Sequence, residues 1–105
     1  LKEKPIIPIP EGFRICGEDW GLEIAEEGQL EHKDWGATHF DKFKIVVDPG
    51  GGDVLLKKTV LHELLHVIDH LSQLKLTERR TDLLANWLYA VMVDNPKLCK
   101  WLFGG

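Results

Sequence analysis

Cysteine is scarce in this chain: Cys16 and Cys99 are the only two in 105 residues, far apart and in no Cys-x-x-Cys arrangement. That spacing excludes a disulfide scaffold and predicts two buried thiols in a reducing compartment. Long apolar runs are also missing, which excludes a membrane-spanning helix. The opening Leu1 to Pro10 lacks the apolar stretch of a signal peptide, so a cytoplasmic location is expected. No basic stripe is present. Residues 1–53 carry six Lys/Arg against twelve Asp/Glu and residues 54–105 seven against five, together the 13 and 17 of the whole chain. A net charge of -4 without a cationic face argues against nucleic acid as a partner. The glycine run at Gly50-Gly51-Gly52 does not make a phosphate loop, because neither Lys57 nor Lys58 follows a glycine.

With 44% hydrophobic and 29% charged residues the chain has the composition of a folded domain. Its length suits one domain over 1–105, a monomer by default. Pro5-Ile6-Ile7-Pro8-Ile9-Pro10 alternates proline with isoleucine, which predicts an extended arm over residues 1–12. Short period-two runs follow at Phe13 to Cys16, Trp20 to Ile24 and Phe43 to Val47, with a weaker one at Gly36 to Phe40. After Asp53, read as an N-cap, the period becomes helical as far as about Gln73. Thr77 caps a second helix reaching about Val93, where Asp94-Asn95-Pro96 stops it. With Lys75 and Leu76 as the link, the two helices are expected to pair as an antiparallel hairpin. The tail Lys97 to Phe103 is expected to pack back on the core. The fold class is therefore α+β, a small antiparallel or mixed sheet packed on a helix hairpin.

The first helix carries His62-Glu63-Leu64-Leu65-His66, an HExxH pattern. Five His and nine Glu scattered over 105 positions produce it by chance about 0.02 times. With His62 at zero on a helical wheel, His66 falls at about 40°, Asp69 at about -20°, and Glu63 and His70 at about 80° to 100°. Val60, Leu61, Leu64, Leu65, Val67, Ile68, Leu71 and Leu74 make a broad apolar face that is expected to be buried. Residues four apart on a helix are stacked neighbours, so the two imidazoles can converge on one ion. Glu63, turned away by about 100°, is placed to reach a water on that ion and to act as proton acceptor. A catalytic zinc site takes three protein ligands and one open position. Candidates for the third are His70, Glu78 and Asp82. His70 lies about 6 Å further along an unbroken helix and reads as a rim residue. Asp69 reads as a group that orients a ligand through its outer nitrogen.

Thr59 to Asp69 followed by Leu76 to Tyr89, with HExxH in the first stretch and Glu78 opening the second, resembles small phage and prophage zincin-like proteins related to the ImmA/IrrE metallopeptidases. The resemblance implies a minimal zincin-like domain and a zinc cofactor held by His62, His66 and Glu78. It also implies Glu63 as the catalytic base and hydrolysis of a peptide or protein substrate. It further implies a strand beside the cleft, for which Trp35 to Phe40 is the candidate. Trp20, Trp35 and Trp87 read as core, and His39 and Tyr89 are candidate oxyanion donors. The alternative expectation is a zincin scaffold with weak or absent turnover, serving as a regulatory binding module in phage or host control.

Overall fold

The computed structural model describes residues 9–31 and 34–104. The expected arm therefore lies outside the described residues over 1–8. It ends before Gly12, which already pairs in the sheet. The chain runs through β1 (Gly12–Ile15), β2 (Glu18–Ile24), β3 (Gly36–His39), β4 (Lys44–Val47), α1 (Asp53–Ser72), α2 (Glu78–Asp94) and α3 (Pro96–Phe103). The sheet order is β1-β2-β4-β3, with antiparallel outer pairs and a parallel central pair between β2 and β4. The class is α+β with a mixed sheet. Among the described residues no helix is long and apolar enough to cross a membrane.

Period-two alternation decides which side chains meet the helix layer. Register aligns Leu22 with Ile45 and Thr38, and Ile24 with Val47 and Gly36, so Gly36 and Thr38 share one face of the sheet with Ile45 and Val47. α1 lies on that face. Trp20, Leu22, Ile45 and Val47 from the strands close over Leu56 and Val67 from the helix. Each fully buried aliphatic side chain contributes about 1.5–3 kcal/mol. Asp48 stabilises the turn leading into α1, its carboxylate accepting from Gly50 N at 2.8 Å. The N-cap of α1 is Gly52 at φ 92°, and Asp53 is the first helical residue. That extended, positive-φ conformation at the cap suits glycine, and Asp53 adds a favourable negative charge to the first turn.

Four expectations about burial are corrected. α1 is gripped on two sides, the sheet and α2, and not along one broad apolar face. Its buried residues are Leu56, Thr59, Glu63, Leu65 and Val67, while Leu71 and Leu74 are exposed beyond the end of the sheet. Only Trp20 of the three named tryptophans is core. Trp35 is 43% exposed and Trp87 69%, the latter because the helix hairpin has a sheet on one side only. The tail does not fold back onto the sheet as a core element, since Pro96 restarts the chain as α3, which packs chiefly against α2 and leaves Trp101 79% exposed. The thiols are likewise unburied as a pair: Cys16 is exposed in the β1–β2 turn and Cys99 is half-buried on α3, both free.

The hairpin link is longer than the two residues expected. Ser72 ends α1, Gln73 and Lys75 take left-handed conformations, and Thr77 caps α2 by accepting from Arg80 N at 3.1 Å. Asp69 Oδ1 accepts from Leu76 N at 2.9 Å. That bond folds the link back along α1, so α2 begins level with Asp69 and not beyond the helix end.

Candidate metal centre

Because α2 starts one turn early, Glu78 stands beside the histidines. Its Oε1 lies 2.7 Å from His62 Nε2 and its Oε2 3.0 Å from His66 Nε2, and the two Nε2 atoms are 3.0 Å apart. Simple hairpin geometry favours Asp82 at this height. The Asp69 tether to the link removes that mismatch. Asp82 comes instead to the far side of the ring, with Oδ1 3.3 Å from His62 Nδ1. A carboxylate there favours the tautomer protonated on Nδ1, which leaves the Nε2 lone pair facing Glu78 and His66. Asp82 thus stands against an outer ring nitrogen, the position expected of Asp69, while Asp69 Oδ1 accepts from Leu76 N.

Glu63 is turned from the histidines toward the sheet, where its carboxylate meets Thr38. The glutamate is 7% exposed, with Oε2 3.9 Å from His62 Nε2. Its Oε1 accepts from Thr38 Oγ1 at 2.8 Å. The ligand-capable atoms of His62, Glu63 and His66 all lie within 4.8 Å of one another. His70 is apart from this group, its ring 4.4 Å from that of Phe40 on the sheet side.

The donor set fits a zinc ion on its chemistry. Two imidazole nitrogens and one carboxylate converge from two helices, and a fourth direction opens toward a cavity of about 310 Å³. Ligands bonded at about 2.1 Å around a tetrahedral ion stand about 3.4 Å apart. The 2.7–3.0 Å separations here need about 0.4–0.7 Å of expansion, within reach of side-chain rotation alone. Besides His62 and the carboxylates of Asp34, Glu63, Glu78 and Asp82, the cavity is lined by Trp35 and Gly36 at the start of β3, Leu55 and Lys58 on α1, and Asn86 on α2.

The candidate oxyanion donors do not line this cavity. His39 alternates with Thr38 along β3 and so faces the opposite side of the sheet. Tyr89 lies seven residues beyond Asp82, about 10 Å further along α2, where the Lys58 ammonium sits 5.5 Å over its ring. Two residues of the site were not found from sequence. Thr38 carries no motif signal beyond belonging to the weakest strand. Gly36 is needed because a Cβ there would come 2.7 Å from Thr59 Cγ2 and 3.1 Å from Glu63 Cγ. Comparison with protein-family profiles, curated proteins and solved structures returns no match.

Proposed function

We propose that this chain is a zinc-dependent metallopeptidase on a minimal zincin-like scaffold. The single observation behind this reading is the division between Glu78 and Glu63. One glutamate spans both imidazole Nε2 atoms at 2.7 and 3.0 Å, and the other stands further off, with Oε2 3.9 Å from His62 Nε2. A purely structural metal site has no use for the second carboxylate. His62, His66 and Glu78 would hold the ion, and Asp82 would fix the His62 ring. Zinc bound there supplies acidification of a water and polarisation of the scissile carbonyl.

The remaining work belongs to the chain. Glu63 Oε2 takes one proton from the attacking water as the new C–O bond forms at the carbonyl carbon. It then delivers that proton to the nitrogen of the leaving amine as the C–N bond breaks. β3, an edge strand of the sheet among the described residues and beside the cavity, is the element along which an extended peptide would add as a further strand. The test is Glu63→Gln assayed on a fluorescently labelled unfolded protein such as casein. The variant is expected to keep zinc and lose at least about a hundredfold in turnover. Loss of zinc in that variant would contradict the assignment of roles. A wild-type chain without turnover would favour the binding-module reading.

A further inference from the structure

We propose that Thr38 is a positioning residue for the catalytic base, an inference that rests on the metallopeptidase reading above. Among the described residues the Thr38 hydroxyl is the one hydrogen-bond donor to the Glu63 carboxylate, at 2.8 Å to Oε1. It also lies 3.4 Å from the Glu63 main-chain oxygen, so the threonine is seated against both ends of that residue. The bond commits Oε1 and leaves Oε2 as the oxygen nearer the histidines, 3.9 Å from His62 Nε2.

The donor is itself rigid. Thr38 is β-branched, which restricts its χ1, and it sits in a strand paired along its length to the buried β4. Two positions earlier, Gly36 brings the same strand against the Glu63 side-chain stem. β3 therefore clamps Glu63 at stem and head. A glutamate with three rotatable bonds, buried on the sheet side of α1, has few other means of keeping one oxygen aimed at the reacting water. Proton transfer requires heavy atoms within about 2.6–3.2 Å, and misplacement by about 1 Å costs on the order of a hundredfold in rate.

Zinc-loaded wild type, Thr38→Val, Thr38→Ser and Glu63→Gln are compared in three readouts: zinc affinity by chelator competition, kcat and KM on labelled unfolded casein, and affinity for acetohydroxamate. Hydroxamate binds zinc and donates to a neighbouring carboxylate, so it reports the position of Glu63 without turnover. Thr38→Val is expected to keep zinc affinity and KM within about twofold. Its kcat should fall about 10- to 100-fold and its hydroxamate affinity about tenfold. Thr38→Ser, which keeps the hydroxyl, should recover most of both. Wild-type kcat and hydroxamate affinity in Thr38→Val, with an active parent, would overturn the role of Thr38 and leave the metallopeptidase reading standing. A parent that neither turns over nor binds hydroxamate more tightly than Glu63→Gln would overturn that reading and this inference with it.

Discussion

Replacing Gly36 with alanine tests the approach of β3 to α1 on which the placement of Glu63 depends. The backbone of Gly36 is not in the left-handed region, so alanine meets no conformational penalty there. By reducing the freedom of the unfolded chain it would by itself stabilise the fold by about 0.4–1 kcal/mol. The added methyl, however, would sit 2.7 Å from Thr59 Cγ2 and 3.1 Å from Glu63 Cγ, against a comfortable carbon separation of about 3.5–4.0 Å. Thr59 cannot swing aside freely, because its hydroxyl donates to Leu55 O at 2.7 Å inside α1. Overpacking of this kind costs about 1–3 kcal/mol, leaving a net loss centred on about 1.3 kcal/mol. For a domain of this size that lowers Tm by about 5–10 °C. Thermal unfolding of the metal-free protein followed by circular dichroism measures it. Thr59→Ser removes the clashing carbon and keeps the hydroxyl, so Gly36→Ala should cost less than half as much in the Thr59→Ser background. An alanine variant as stable as wild type, or an equal cost in both backgrounds, would refute the steric argument.

Other consequences concern the metal and the hairpin. Asp82→Asn should weaken zinc binding about 10- to 100-fold by loosening the His62 ring, and Glu78→Gln should weaken it more, both read by chelator competition. A larger effect of Asp82→Asn would exchange their roles. Zinc at a hundred times its Kd should stabilise the fold by about 2.7 kcal/mol and raise Tm by about 10–20 °C, reversibly with chelator; an unchanged Tm would count against a specific site. Thr77→Ala removes the acceptor for Arg80 N and should cost about 1 kcal/mol in thermal or urea unfolding.

The elements of this fold were legible in the sequence where local chemistry decides them. Thr77 caps α2, the four period-two runs are strands, and the HExxH spacing puts both imidazoles on one side of α1. Glu78 meets both histidines, a contact that the HExxH spacing alone could not distinguish from one by Asp82. The parallel pairing of β2 with β4 was not legible, since no pattern within either strand records its partner. Nor was the burial of Glu63. On a helical wheel it belongs to the polar side of α1, and only the sheet, brought close by Gly36, makes that side an interior. The height of Glu78 was hidden for a similar reason: it depends on the Asp69 bond to Leu76 N, a contact between a helix and the loop that leaves it. The exposure of Trp87 and Trp101 runs against the expectation that large apolar side chains are core, because hydrophobicity alone does not say which face of a two-helix layer receives a sheet.

The most direct test of the metal centre is the zinc content of the wild-type chain, His62→Ala, His66→Ala and Glu78→Gln after equilibrium dialysis at a single free-zinc concentration near the wild-type Kd, measured by elemental analysis. Convergence of these three side chains from two helices predicts binding at a single site in the wild type, half-filled at that concentration, and near loss in each variant that folds, with Glu63→Gln retaining the wild-type content as a control. Equal zinc in all the variants would contradict the centre described here.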